Sequence, residues 1–307
     1  MNEMRIASIA CTGDLDCAGF NKVHSNLEKA GGLIKETCYR PTDLVVLPEL
    51  FAWCGPFKNE EKRKTAEPLG GRFSQAMSNL AVKHRVNILS PLLERKDKYI
   101  YNSMVWYDRK GKITGVYRKA FPTDYEMAEG IRPGPLNFDA FETEFGPIGC
   151  CICFDINFRE IIERLDRLKV KLVIFPTSFD GLCLMRAWAK LYRIFFVSAS
   201  AYQYASAVDP TGGVLIRPWE HDQIMRITLN LDFVVLHTDY NRAKFPMVEK
   251  AYGSKVEIMS RDIEGGVYLS SRHPKKSAAD IVREFKLEPE IDYYRRSSRL
   301  RDKKAKS

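Results

Sequence analysis

A layered α/β fold is the class this sequence predicts, as one domain over residues 1–272 with a C-terminal extension over 273–307. Short apolar runs of strand length recur along the chain, and amphipathic stretches with helical spacing fall between some of them. Some strand runs are joined only by a turn signal, which gives hairpins, and others by a helix, which gives crossovers. No Pro/Gly/Ser-rich linker divides the chain before about residue 273, and no internal repeat is present.

In chain order, Arg5–Ala10 reads as the first strand. Val23, Leu27, Ala30, Ile34 and Cys38 mark a helical stripe, which Gly31-Gly32 should weaken because each interior glycine costs roughly 1 kcal/mol. Leu44–Pro48 is a buried strand, and Phe73, Met77, Leu80 and Ala81 mark a second helix. Asn87–Leu92, Tyr99–Trp106 and Lys112–Arg118 follow as strands, the last two joined by the turn Asp108-Arg109-Lys110-Gly111. Ile148–Ile152 is again a strand, followed by a helix carrying Ile161, Leu165 and Leu168. Leu172–Phe175, a helix with Leu184, Ala187, Trp188 and Leu191, and the strands Ile194–Ala199, Gly213–Ile216 and Ile224–Asn230 complete the series.

With 45% hydrophobic residues the chain can bury a full core, so disorder is excluded as the main reading. No apolar run reaches the length of a membrane span. Residues 1–10 are too short and too charged for a signal peptide, so the expected compartment is the cytoplasm, where thiols stay reduced. The eight cysteines sit mostly in apolar periodic segments and form neither a disulfide framework nor a zinc set, so no metal or cofactor is expected. The net charge of +9 is concentrated at one end. Residues 295–307 hold seven basic side chains against Asp302, which leaves +3 for the other 294 residues. That end reads as a solvated, flexible tail, and contact with nucleic acid is not the expectation.

Three segments share one pattern, a strand that ends at a polar reactive residue. Leu44-Val45-Val46-Leu47-Pro48-Glu49 delivers a carboxylate, Gly115-Val116-Tyr117-Arg118-Lys119 an ammonium, and Gly149-Cys150-Cys151-Ile152-Cys153 a thiol. Taken singly, each has a plain structural explanation: a strand-end charge, a solvated edge lysine, a buried small hydrophobe. Together they resemble the nitrilase superfamily, the carbon–nitrogen hydrolases, in order and spacing. Leu47-Pro48-Glu49 matches its glutamate motif, and Tyr117-Arg118-Lys119, after the hairpin Tyr101-Asn102-Ser103, matches its lysine motif. Gly149…Cys153-Phe154-Asp155…Phe158-Arg159-Glu160 matches its cysteine motif, and the likeness runs from Arg5 to about residue 235.

The resemblance implies a four-layer α-β-β-α sandwich, a homodimer or higher homo-oligomer that the region 241–296 helps to join, and catalysis without a cofactor. It also implies a second glutamate beside the lysine, with Glu126 of Thr123-Asp124-Tyr125-Glu126 preferred and Glu129 as the alternative. The chemistry of the three motifs is coherent in its own right. A thiol titrating near about 8.5 needs a base, which Glu49 supplies, and an oxyanion needs donors, which Lys119 and the Phe154 backbone N–H supply. The five histidines fall outside every motif, which excludes a Cys–His protease.

Nitrile-cleaving relatives carry Cys-Trp-Glu at the nucleophile. Cys153-Phe154-Asp155 resembles the amidase and carbamoylase branches instead, so the expected substrate is a small amide or N-carbamoyl (ureido) compound. Tyr125, Asp155 and Arg186 are the further candidates for lining its pocket. Two alternatives stand beside this reading: a nitrilase proper, and a catalytically idle relative serving as a binding or assembly module.

Overall fold

A computed structural model describes residues 3–13, 19–53, 59–201, 204–217, 223–259 and 264–306. Cys17, Cys54 and His221 lie outside these residues. The elements in order are β1 (Glu3–Ile9), α1 (Gly19–Thr37), β2 (Leu44–Val46), α2 (Asn59–Lys64), α3 (Arg72–His84), β3 (Asn87–Lys96), β4 (Tyr99–Tyr107) and β5 (Ile113–Arg118). Then come α4 (Asp124–Ala128), β6 (Phe141–Thr143), β7 (Gly146–Cys150), α5 (Arg159–Arg167), β8 (Leu172–Thr177), α6 (Leu182–Tyr192), β9 (Phe195–Ser200), β10 (Ala207–Val208), β11 (Val214–Ile216) and β12 (Ile224–Asn230). The C-terminal part adds β13 (Phe233–His237), α7 (Phe245–Tyr252), β14 (Val256–Met259), β15 (Gly266–Ser271), α8 (Ala278–Glu284) and α9 (Glu290–Ala305).

Among the described residues these strands make two six-stranded sheets, ordered β12-β1-β2-β3-β4-β5 and β11-β10-β9-β8-β7-β6, and a small sheet β13-β15-β14. Strand alternation explains how the large sheets stack. Leu44 and Val46 of β2, Leu89 of β3, and Met104 and Trp106 of β4 share one apolar core with Ile148 and Cys150 of β7 and Leu172 and Ile174 of β8. Their odd-face neighbours Val45, Ile88, Val105 and Tyr107 pack instead with Ala30 and Ile34 of α1 and Phe73, Met77 and Ala81 of α3. Ile161 and Leu165 of α5 and Met185 and Ala189 of α6 cover the far side of the second sheet. The result is the expected four-layer α-β-β-α sandwich.

Three features depart from the sequence reading. Helix α1 runs unbroken through Gly31 and Gly32, because its buried stripe, Ala30, Leu33 and Ile34, is held against α3 and the sheet and outweighs the glycine penalty. The boundary expected at 273 falls inside a packed unit, since Leu236 of β13, Val248 of α7, Leu269 of β15 and Ile281 of α8 form one apolar cluster. The basic end, expected to be a flexible tail, is the helix α9. Good helix formers fill it, Glu290 and Asp292 sit in its first turn and Lys303 and Lys304 in its last, which suits the helix dipole. Its first turns are tied down by Glu290 to Arg193 (2.8 Å) and by the two-pronged Arg296–Glu288 pair (2.8 and 2.9 Å).

Candidate active site

Glu49, Lys119 and Cys153 converge on one buried polar cluster, and they come from strand ends of both large sheets. Pro48 cannot continue the ladder of β2, and Glu49 follows it, only 4% exposed. Leu50 then adopts φ +48°, turning the chain into a buried 3-10 turn over Phe51–Trp53. Lys119 follows β5 and is 1% exposed; its backbone N–H donates to the carbonyl of Asn102 on β4 (2.8 Å). In the second sheet β7 ends at Cys150, and Cys153 opens a 3-10 turn over Cys153–Asn157 with φ +48°. A left-handed conformation costs a non-glycine residue about 1 kcal/mol or more, and here it falls on the thiol-bearing residue itself.

The polar groups of the cleft form a closed network. Lys119 Nζ donates to Glu49 Oε1 and to Glu126 Oε2, both at 2.7 Å. Asn102 Nδ2 donates to Glu49 Oε1 (2.8 Å) and Glu126 Oε1 (2.9 Å). Ser178, just after β8, donates its hydroxyl to Glu49 Oε2 (2.9 Å). The Cys153 thiol lies beside this network, close enough for Glu49, Lys119 and the Ser178 backbone N–H to act on its titration. Local sequence explains Glu126: it is the third residue of a capping box on α4. Its Oε2 accepts the Thr123 N–H (2.8 Å) while its own N–H reaches the Thr123 hydroxyl (3.2 Å).

Burial alone would lower the Lys119 pKa, but the negative charges of Glu49 and Glu126, and the hydrogen bond to Glu126, reverse this and hold the ammonium charged. Burial would raise Glu126, yet the Lys119 charge and the bonds from Thr123 and Asn102 keep its carboxyl below the usual range. Cys153 behaves in the opposite way. Burial first, and then the Glu49 charge, push its thiol up to about 12 against the pull of Lys119 and Ser178. The resting nucleophile is therefore a neutral thiol.

The other sequence candidates separate. Glu129 lies away from Lys119 and pairs with Lys62 at 3.2 Å. Tyr125 is 69% exposed and lies beside Glu129, outside the network. Arg186 is exposed on α6, with its Nε given to the carbonyl of Gly212 (2.9 Å). Phe154 is 37% exposed, and its ring meets Phe158 edge-on at 5.3 Å, while Phe158 stacks on Phe121 at 3.7 Å. Asp155, expected to line the pocket, is fully buried behind the nucleophile. Its carboxylate accepts from the Tyr117 hydroxyl (2.8 Å), the Phe121 N–H (2.8 Å) and the Ile152 N–H (2.9 Å), so it frames the turn rather than the cleft. Sequence reasoning missed Asn102 and Ser178. The one available signal for Asn102 was a lone amide in the middle of an aromatic, otherwise buried strand.

The chain is similar to several known proteins. A Schizosaccharomyces pombe protein named as a probable nitrilase is 35% identical over 232 residues, covering 68% of this chain and 84% of its own. An omega-amidase of Saccharomyces cerevisiae is 26% identical over 244 residues, covering 68% and 83%. Among solved structures, a nitrilase-superfamily protein of Saccharomyces cerevisiae superposes with TM-score 0.65 at 24% identity, over 78% of this chain and 94% of that one. A carbon–nitrogen hydrolase of Helicobacter pylori gives TM-score 0.67 at 18% identity, over 80% and 94%. The family model for carbon–nitrogen hydrolases matches residues 5–239, and the chain belongs to that family, whose members act on carbon–nitrogen bonds other than peptide bonds.

Proposed function

We propose that this enzyme hydrolyses a small amide or N-carbamoyl compound through a Cys153 thioester, releasing ammonia or an amine. The observation that carries the reading is the setting of Glu49: one oxygen takes the Lys119 ammonium, the other the Ser178 hydroxyl, and the carboxylate acts directly on the neighbouring Cys153 thiol. As Cys153 attacks the carbonyl carbon, its proton passes to Glu49 and a C–S bond forms. Negative charge collects on the former carbonyl oxygen, where Lys119 and the Phe154 backbone N–H are the donors. The C–N bond breaks as Glu49 returns the proton to the leaving nitrogen. Water, deprotonated by Glu49, then cleaves the thioester, and the proton goes back to the thiol. Glu126 keeps Lys119 charged and in place without touching the reacting atoms. The relatives named omega-amidases support an amide substrate. The relative named as a probable nitrilase supports the second reading, a nitrile.

The test is ammonia release over simple amides, ureido acids and nitriles, with Cys153→Ala, Glu49→Gln and Lys119→Ala as controls. Each variant should lose turnover while keeping the wild-type circular dichroism spectrum, and intact-mass analysis of quenched wild type should show an acyl adduct on Cys153. Turnover surviving in Cys153→Ala, or nitriles as the only substrates, would sink the reading. The same reading includes a homo-oligomer, which light scattering checks directly.

A further inference from the structure

From the hydrogen-bond pattern around Asn102 we infer that this residue is a positioning residue that divides the work between the two carboxylates, reserving Glu49 Oε2 for the thiol proton. The inference rests on the reaction proposed above. Asn102 is fully buried, and each hydrogen of its Nδ2 has its own carboxylate, Glu49 Oε1 and Glu126 Oε1. Two carboxylates facing one amide fix its orientation, because only the NH2 side can face both.

The count of lone pairs then assigns the roles. Glu49 Oε1 takes Asn102 and Lys119 and is full. Among the described residues Glu49 Oε2 takes only the Ser178 hydroxyl, which leaves one lone pair for the thiol proton. Glu126 takes Asn102 on one oxygen, with Lys119 and the Thr123 N–H on the other, and so is held as a fixed anion beside the ammonium.

The far side of the amide strengthens the case. Among the described residues Asn102 Oδ1 is buried and has no hydrogen-bond partner. An unpaired buried carbonyl opposes folding. The side chain therefore keeps an orientation that serves the two carboxylates at a cost to its own solvation. Lys119 is tied to the same residue from behind, since its backbone N–H donates to the Asn102 carbonyl. One residue of β4 thus sets the positions of both acids and of the ammonium's backbone.

Two donors lost from a carboxylate pair make the pair easier to protonate, so the signature lies in the pH profile. The experiment compares wild type, Asn102→Ala, Asn102→Ser and Asn102→Asp by kcat/KM against pH on a substrate from the screen above. Labelling of Cys153 by iodoacetamide is measured at pH 6 and pH 9. In Asn102→Ala the acid limb should move up by about one pH unit, with at least a tenfold loss at pH 6, recovery to within a few-fold at pH 9, and KM within about twofold. Asn102→Ser, with one donor, should fall between Ala and wild type. Asn102→Asp, the same shape with its donors replaced by acceptors, should be worse than Ala. A loss equal at all pH values, or an Asp variant milder than Ala, overturns the inference, because shape alone would then explain Asn102. Should wild type hydrolyse no amide, ureido compound or nitrile, the proposed reaction fails. The ratio of labelling at pH 6 to pH 9 across the four proteins still decides the role of Asn102.

Discussion

The two large sheets carry the same strand pattern. From β12 to β5, and again from β6 to β11, neighbours pair antiparallel, parallel, parallel, antiparallel and antiparallel. By that pattern β2 corresponds to β8, and β5 to β11. β2 runs into Glu49 and β8 into Ser178, and these two side chains touch at 2.9 Å across the sandwich. β5 runs into Lys119, which is buried between two carboxylates, whereas β11 runs into Arg217, half-exposed and paired with Asp180 at 3.0 Å. The first sheet supplies the charges and the second supplies the thiol, on the left-handed turn after β7. A shared frame brings strand ends together; what the ends do depends on which is buried with a partner and which is left to solvent.

The sharpest way to break this comparison is at the two matched ends that touch. Glu49→Gln should cost about a thousandfold or more in kcat/KM, because it removes the proton acceptor. Ser178→Ala should cost about tenfold at most, since Glu49 keeps its bonds from Lys119 and Asn102. Equal losses would mean that the second sheet shares the acid–base work. Next in size, Glu126→Gln should lower kcat about a hundredfold through a mis-set Lys119, and Glu129→Gln should stay within threefold; a reversed order in ammonia-release assays would assign the second glutamate to Glu129. The thiol gives a smaller, graded effect. With its pKa pushed up to about 12, Cys153 is protonated at rest, so iodoacetamide labelling of the free enzyme should keep rising by up to about tenfold per unit above pH 8. A plateau between pH 6 and 9 would show a preformed thiolate instead.

The parts of this arrangement legible in the sequence were those that break a local pattern. Glu49, Lys119 and Cys153 each end an apolar strand with a polar group, and Thr123-x-x-Glu126 is a helix-start signature that also locates a carboxylate. Asn102 and Ser178 break no such pattern. Their roles come from sequence separations of 53 and 129 residues to Glu49, which only the stacked sheets close. Asp155 misled because adjacency to the nucleophile was taken for access to the cleft, whereas the 3-10 turn rotates its carboxylate into the core. The C-terminal unit was illegible for a different reason. Its strands are short, and α9 buries almost none of its surface, so neither a period-2 nor a helical apolar stripe marks it.

Asp155 joins the two sheets directly, and its substitution should cost less turnover than that of Glu49 or Glu126, because it touches no reacting atom. It accepts from Tyr117 on β5 and Phe121 just beyond, both from the first sheet's side, and from Ile152 at the nucleophile's turn. Burial raises its pKa to about 7, against three hydrogen bonds and the Lys119 charge that favour the ionised form. A folded-state pKa above the unfolded value of 3.8 means that this group contributes stability that is full below about pH 4. That contribution is lost as pH rises through about 7. Asparagine at this position does not titrate, so the melting temperature of wild type relative to Asp155→Asn should fall by several degrees between pH 4 and pH 8 and level off above it. Over the same range kcat/KM at pH 8 should stay within about tenfold of wild type. A difference that is flat with pH would mean that Asp155 is ionised throughout, its three donors outweighing burial. The tie between the sheets would then be an ordinary charged clamp, with no proton linked to folding.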